Sequence, residues 1–131
     1  MIGFIGGTGP EGRGLALRLA LAGDSVVLGS RDAARAQGAA NEILAVAPDT
    51  SVQAGINLDT AEKAKTVFVT LPYSAQRSTL GQIEDALAGK IVVVTVAPLR
   101  FAKEGVSALP VTAGSAAMEV SEILPNSYIV A

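Results

Sequence analysis

A glycine-rich segment immediately follows the hydrophobic start of the chain, and this feature constrains the fold more than any other. Residues 1–5 are predicted to form a β-strand, and residues 6–12 have the sequence Gly-Gly-Thr-Gly-Pro-Glu-Gly. From Gly7 onward the segment matches the pattern G-x-G-x-x-G, and residues 11–22 have the spacing of an amphipathic helix. Glycine turns are common, so the pattern alone is weak evidence. Its position between a buried strand and a helix is what predicts the first unit of a dinucleotide-binding sheet.

Short apolar segments alternate with helical patterns along the rest of the chain. Six strands are predicted, at 1–5, 25–29, 52–54, 66–71, 90–96 and 128–130. Five helices are predicted, at 11–22, 33–47, 60–64, 75–88 and 115–124, and the segment 98–114 is predicted to be irregular. The alternation is typical of an α/β fold with a doubly wound parallel sheet, here in the Rossmann strand order 3-2-1-4-5-6. With 131 residues the chain is predicted to be a single dinucleotide-binding domain, 1–131.

The residues of the glycine segment have physical roles in binding an anion. Gly7 allows the tight turn, Gly9 lets the backbone approach a pyrophosphate, and Gly12 lets helix and sheet pack closely. The pyrophosphate would meet the free N–H groups and the positive end of the helix dipole. The predicted cofactor-binding residues of this segment are Gly7, Thr8, Gly9, Pro10, Glu11 and Gly12. The alternative interpretation is a glycine-rich turn that binds no ligand.

The end of the second predicted strand distinguishes between two dinucleotides. In an NAD-binding domain an acidic residue at this place binds the ribose 2′-hydroxyl. This chain has Gly29-Ser30-Arg31 there, and a hydroxyl and a guanidinium can bind a 2′-phosphate that a carboxylate would repel. Arg35 lies one helical turn after Arg31 and adds a second positive charge, whereas Asp32 is placed to cap the next helix. The sequence therefore predicts NADP, the alternative being that both arginines are ordinary solvated charges.

Further candidates follow the fourth and fifth strands, at the carboxyl edge of the sheet where ligands bind. They are Leu71, Tyr73, Arg77, Ala97 and Pro98. Tyr73 and Arg77 are equally consistent with ordinary surface positions. The long segment 98–114 is predicted to cover the cleft, because long irregular loops are often functional. Glu119 and Glu122 are predicted to lie on the solvated face of the last helix.

Composition excludes several kinds of chemistry. The chain has no cysteine and no histidine, which removes thiol nucleophiles, imidazole bases and the common transition-metal ligands. No metal site is therefore predicted, and an enzyme built from this chain must use chemistry that needs few protein acids or bases. The net charge of −2 gives no indication of nucleic-acid binding. No apolar stretch reaches the roughly 18 residues of a membrane span, and the N-terminus lacks the basic segment of a signal peptide, so a cytoplasmic protein is predicted.

Taken together, these motifs resemble those of the F420-dependent NADP reductases. The resemblance extends over nearly the whole chain, and its most specific part is the double-glycine loop combined with Ser30-Arg31. The other matching segments are Gly14-Leu15-Ala16, Leu71-Pro72-Tyr73, Lys90-Ile91-Val92-Val93, Ala97-Pro98-Leu99-Arg100-Phe101 and Gly114-Ser115-Ala116-Ala117.

The resemblance implies reversible hydride transfer between NADPH and a deazaflavin, coenzyme F420, as the two small-molecule cofactors. It implies that the positions contacting NADP are 8–11, Ser30, Arg31, Arg35, Tyr73 and Arg77. Members of the family continue into a largely helical C-terminal part that helps form the deazaflavin pocket and a homodimer. That part is expected to be absent here, so we expect NADP binding with poor hydride transfer or none. Because a hydride would pass directly between the two cofactors, the resemblance implies no catalytic side chain.

Several other functions stay open at this point. One is another NADPH-linked reductase that passes electrons to flavin and metal ions. A second is a non-catalytic NADP sensor module. A structural or interaction protein with an empty glycine loop is the third.

Overall fold

The computed structural model describes residues 1–131, which form eight strands and six helices. The strands are β1 (Ile2–Ile5), β2 (Val26–Ser30), β3 (Val52–Ile56), β4 (Thr66–Val69), β5 (Ile91–Val94), β6 (Leu99–Ala102), β7 (Gly105–Ala108) and β8 (Tyr128–Val130). The helices are α1 (Pro10–Leu21), α2 (Ala33–Val46), α3 (Asn57–Lys63), α4 (Tyr73–Gly81), α5 (Glu84–Leu87) and α6 (Ala116–Ile123). None of these helices is long and apolar enough to cross a membrane.

Six of the strands form one parallel sheet in the order β3-β2-β1-β4-β5-β8. This confirms the predicted doubly wound order, because β8 is the sixth strand of the sheet, whereas β6 and β7 pair only with each other. The strands follow one another outward in opposite directions from the centre of the sheet, so the strand order reverses between the neighbours β1 and β4. In such a sheet the carboxyl ends of the strands on either side of the reversal border a crevice that binds ligands.

Helices cover both faces of the sheet, and apolar side chains are therefore buried on both. Helices α1 and α2 cover one face, where Phe4 and Ala16 belong to one apolar cluster. Helices α3 to α6 cover the other face, where Ile5, Leu80 and Val120 belong to a second cluster. Neighbouring residues of β1 fall into different clusters because successive strand side chains point to opposite faces. This two-sided burial explains the nearly continuous apolar sequence of the strands.

The helix predicted at 75–88 is interrupted. Ile83 separates α4 from α5 and has φ −126° and ψ 17°, outside the helical conformation. Its side chain is nevertheless buried in the same cluster as Leu80 and Leu87. The apolar spacing identified the buried residues correctly, but the prediction of one continuous helix is wrong.

Residues 98–114 contain an antiparallel hairpin rather than only irregular structure. Strands β6 and β7 pair with Phe101 opposite Val106. Gly105 begins β7 with φ +126°, a conformation that favours glycine. Every residue of both strands is exposed, and Phe101 is 77% exposed. The prediction that this segment lacks regular structure is therefore wrong.

Candidate functional site

The turn after β1 depends on glycines that touch other backbone atoms. Gly6 has φ +72°, a conformation that side chains disfavour. The N–H of Gly7 donates to the carbonyl of Gly29 at 2.9 Å, which ties the turn to β2. A Cβ on Gly12 would lie 2.7 Å from Cα of Gly7 and 2.9 Å from its carbonyl oxygen. The close packing of α1 that the sequence predicts for Gly12 is therefore confirmed.

Several backbone N–H groups at the start of α1 are left for a ligand. Those of Thr8, Gly9, Glu11 and Gly12 donate to no protein acceptor, and Pro10, the first residue of α1, has no N–H to satisfy. No atom lies within 4 Å of the position that a Cβ on Gly9 would take, so the space in front of the turn is open. Unpaired N–H groups and the positive end of a helix dipole together favour an anion at this place.

Asp32, the acidic residue that follows β2, has its carboxylate at the start of helix α2. The Asp32 carboxylate accepts the N–H of Ala34 at 2.8 Å and that of Arg35 at 3.4 Å, so it caps α2 as predicted. The N–H of Asp32 donates to the hydroxyl of Ser30 at 3.2 Å. The negative charge of Asp32 therefore stabilises the helix start, and Asp32 is not among the residues that line the neighbouring cleft.

Two arginines remain beside this turn without an acidic partner. Arg31 and Arg35 line the cleft next to Ser30, and neither forms an ion pair within the chain. The ion pairs present lie elsewhere, between Arg13 and Glu42 and between α4 and α6. Two guanidinium groups without acidic partners, together with a hydroxyl, form a donor set suited to a phosphate group.

The glycine turn, the end of β2 and the start of α4 enclose a cleft of about 390 Å³. The predicted residues that line it are Thr8, Gly9, Pro10, Glu11, Ser30, Arg31, Arg35 and Leu71. The predicted Gly7 and Gly12 lie behind the turn, where they pack against backbone. Sequence analysis missed the other lining residues, which are Gly6, Asn57, Thr70, Pro72, Ala75 and Thr79. Asn57 could have been found, because it directly follows β3 just as Arg31 follows β2.

A second, more apolar groove of about 380 Å³ adjoins this cleft where β4 and β5 end. Glu11, Leu71 and Pro72 line both. The other residues of the groove are Tyr73, Ser74, Thr95, Val96, Ala97, Leu99, Phe101 and Leu109. The hairpin therefore supplies one wall of the groove. Of the two residues predicted after β5, Ala97 lines the groove and Pro98 does not.

Tyr73 and Arg77, both predicted as cofactor contacts, are turned toward the last helix. The guanidinium of Arg77 donates to the Glu119 carboxylate at 3.3 Å, and the Tyr73 hydroxyl lies 3.5 Å from the same oxygen. The buried amide of Gln76 donates to the other oxygen of Glu119 at 2.8 Å. Neither Tyr73 nor Arg77 lines the cleft at the glycine turn. Tyr73 lines the adjoining groove with the predicted residues Leu71 and Ala97, whereas Arg77 lines neither the cleft nor the groove.

The prediction that Glu119 lies on a solvated face is wrong. Its side chain is only 14% exposed because it accepts from three side chains of α4, whereas Glu122 is 61% exposed as predicted. Loss of hydration and the adjacent Glu119 carboxylate raise the pKa of the Tyr73 hydroxyl above its ordinary value. The Tyr73 hydroxyl accordingly acts as a donor toward Glu119 of α6.

The strand order and the glycine turn at the crevice define this molecule as a Rossmann domain. A family model described as "NADP oxidoreductase coenzyme F420-dependent" matches residues 1–98. The chain belongs to this family.

Individual relatives agree with this assignment. The F420-dependent NADP reductase of Methanothermobacter marburgensis is 44% identical over 100 residues, covering 75% of this chain and 45% of that protein. The F420-dependent NADP reductase of Methanocaldococcus jannaschii is 36% identical over 135 residues, covering 98% of this chain and 60% of that protein. A solved structure from Arthrobacter, assigned as an F420-dependent NADP reductase, has a TM-score of 0.80 and 26% identity, with coverage of 98% and 60%. The chain thus spans 45% to 60% of the length of these proteins.

Proposed function

We propose that this chain binds NADP in the cleft at the glycine turn and presents its nicotinamide for hydride exchange with coenzyme F420. The observation that carries the proposal is the donor set beside β2. Ser30, Arg31 and Arg35 line the cleft, neither arginine forms an ion pair within the chain, and the adjacent Asp32 carboxylate caps α2. Such a site attracts the 2′-phosphate that distinguishes NADP from NAD.

The pyrophosphate is proposed to lie against the start of α1. The unpaired N–H groups of Thr8, Gly9 and Glu11, which line the cleft, would donate to its oxygens, and the open space at Gly9 admits them. The Thr8 hydroxyl is a further donor at the same edge of the cleft. Gly7 and Gly12 act indirectly, by allowing the turn and the helix to come close enough.

The nicotinamide end is proposed to extend toward the apolar groove. Leu71 and Pro72 line both the cleft and the groove, so a ligand can pass from one to the other without leaving the protein surface. The apolar wall, with Val96 and Ala97, would exclude water from one side of the ring. When bound, the nicotinamide and the deazaflavin supply the hydride chemistry, and the chain's residues bind and orient them.

We also propose roles for the predicted residues outside the cleft. We propose that Tyr73 and Arg77 reach the cofactor only after leaving Glu119, and that Ala97 and Pro98 flank the nicotinamide. Residues 1–131 are proposed to form one NADP-binding domain of a cytoplasmic enzyme. A homodimer and the absence of nucleic-acid partners are proposed in the same way from the sequence.

A hydride-transfer assay tests the proposed function. NADPH and F420 are mixed with the chain, and the absorbance of the deazaflavin is followed, with flavin mononucleotide and ferric ion as other acceptors. We expect reduction of F420 only when NADPH is present, because the hydride comes from the nicotinamide. The Gly9→Val variant is the control for contaminating enzyme.

Other outcomes of this assay would replace the proposal. Preferential reduction of flavin or ferric ion would indicate a different NADPH-linked reductase. NADPH binding with no transfer to any acceptor would support the nucleotide site but contradict the proposed hydride exchange by this chain. Failure to bind either nucleotide would indicate that the glycine turn has only a structural role.

A further inference from the structure

Asn57 contacts the glycine turn from a part of the chain that the motif does not include. It is the first residue of α3 and follows β3, yet its side-chain Oδ1 accepts the N–H of Gly6 at 3.2 Å. Only 7% of the residue is exposed, and it lines the cleft together with Ser30 and Arg31. A single buried side chain therefore connects the third strand to the turn proposed to hold the pyrophosphate.

The backbone of Gly29 packs closely against the Asn57 side chain. A Cβ on Gly29 would lie 2.8 Å from Oδ1 of Asn57 and 3.0 Å from the carbonyl oxygen of Phe4, closer than real Cβ contacts. The carbonyl of Gly29 in turn accepts the N–H of Gly7. The inward N–H groups of Gly6 and Gly7 are thus both satisfied by the protein. The N–H groups of Thr8 and Gly9 are the ones left facing the cleft.

The other half of the Asn57 amide has a different environment. Its Oδ1 is occupied by Gly6, which orients the amide so that Nδ2 is the remaining polar atom. Nδ2 donates to no protein acceptor and is not among the buried polar atoms sealed from solvent, unlike Oγ1 of the neighbouring Thr60. Asn57 lines the cleft with Ser30 and Arg31, and Nδ2 is its one side-chain polar atom without a protein partner.

We propose that Asn57 is both a positioning residue and a specificity-determining residue, an inference that rests on the proposed function. Its Oδ1 fixes the glycine turn, and its Nδ2 donates a hydrogen bond to the 2′-phosphate of NADP. An amide donor at this place adds to the donor set of Ser30, Arg31 and Arg35, because Asn57 directly follows Ile56, the residue of β3 that pairs with Ser30 of β2. A carboxylate at the same position would keep the acceptor for Gly6 but would repel the phosphate.

The test compares Asn57→Asp with Asn57→Ala and with Asn126→Asp as a matched control. Asn126 is exposed and is not among the residues lining the cleft, so its substitution adds the same charge away from the site. Dissociation constants for NADPH and NADH are measured by titration, and thermal unfolding without ligand checks that each variant is folded. For Asn57→Asp we expect NADPH binding about 10- to 100-fold weaker and NADH binding nearly unchanged. For Asn126→Asp we expect no change in either constant.

A pH profile adds a result that a purely structural role would not give. Burial and the nearby phosphate favour the protonated acid in Asn57→Asp, and a protonated acid can again donate. The ratio of the NADPH dissociation constants of Asn57→Asp and the parent chain should therefore fall between pH 7.5 and pH 5. A ratio that does not change with pH would contradict donation by Nδ2.

The remaining outcomes also decide the matter. If Asn57→Asp does not fold, Asn57→Ala takes its place, and it should weaken NADPH binding more than NADH binding. Equal weakening of both nucleotides by the folded variant would reduce Asn57 to a support for the turn and overturn its role in specificity. If the parent chain binds neither nucleotide, the proposed function itself fails, and the comparison between variants does not arise.

Discussion

The glycine turn and the β6–β7 hairpin are both loops at the same edge of the sheet, but they differ in what surrounds them. At the turn, a Cβ on Gly7 or Gly12 would approach other atoms to less than 3 Å. In the hairpin every strand residue is exposed, and no atom lies within 4 Å of a Cβ on Gly105. Close packing leaves few residue types acceptable at a position, so the spacing of the glycines predicted the turn, whereas the spacing of residues in the exposed hairpin did not predict its two strands.

The turn itself contains the same contrast on a smaller scale. Gly12 is enclosed by backbone, whereas Gly9 faces open space. Gly12 is required by the packing of the fold, whereas Gly9 is proposed to be required by the ligand. Substitutions at the two positions should therefore separate stability from binding.

The largest effect is expected for Gly9→Val. A side chain there meets no protein atom but occupies the space proposed for the pyrophosphate, so binding of NADP and NAD should both fall by more than about 100-fold. The free energy of unfolding should stay within about 1 kcal/mol of the parent value. Titration with both nucleotides measures the loss of affinity, and denaturant unfolding measures the free energy of unfolding. Unchanged affinity in the folded variant would mean that the turn holds no ligand.

Arg31→Asp should have the next largest effect, and it should affect only one nucleotide. It replaces a donor for the 2′-phosphate with a like charge, so NADP binding should weaken about 10- to 100-fold while NAD binding changes little or improves. Arg100→Asp in the exposed hairpin is the matched control, with little effect expected on either constant. Equal weakening of both nucleotides by Arg31→Asp would rule out the assignment to the 2′-phosphate.

Gly12→Ala should reduce stability instead of acting on the ligand alone. Its Cβ would contact the Gly7 backbone at 2.7 Å, and overpacking of this kind costs about 1–3 kcal/mol. Gly38→Ala is the matched control, since Gly38 lies exposed within α2 with no atom near its Cβ position, and alanine there should stabilise the helix by about 0.5–1 kcal/mol. Denaturant unfolding of both variants measures the difference. Similar changes in the two would contradict the packing account.

The smallest effect is expected for Phe101→Ala in the hairpin. The ring is 77% exposed, so its removal should change the free energy of unfolding by no more than about 0.5 kcal/mol. Thermal or denaturant unfolding tests this directly. A loss of more than about 2 kcal/mol would show that the hairpin is packed against the domain.

Sequence patterns predicted the parts of the molecule in which local rules and packing act together. The strand order follows from the alternation of strands and helices, Asp32 caps α2, and Gly12 packs against the turn. The break at Ile83 was not predictable from spacing, because its side chain is buried in either conformation.

Parts of the candidate site depend on contacts between distant segments. Tyr73 and Arg77 follow β4, but nothing in the sequence indicated that Glu119, 42 residues beyond Arg77, would accept hydrogen bonds from both. Asn57 was missed for a related reason, because its partner Gly6 is 51 residues away. Side-chain direction depends on tertiary packing, which neither periodicity nor motif spacing describes.

The central claim is that the cleft beside β2 recognises the 2′-phosphate of NADP. The most direct measurement is a pair of titrations of the 131-residue chain, with NADPH and with NADH, under one buffer and salt condition. The donor set of Ser30, Arg31 and Arg35 predicts NADPH binding at least about 10-fold tighter than NADH binding. Equal affinities, or tighter binding of NADH, would contradict it.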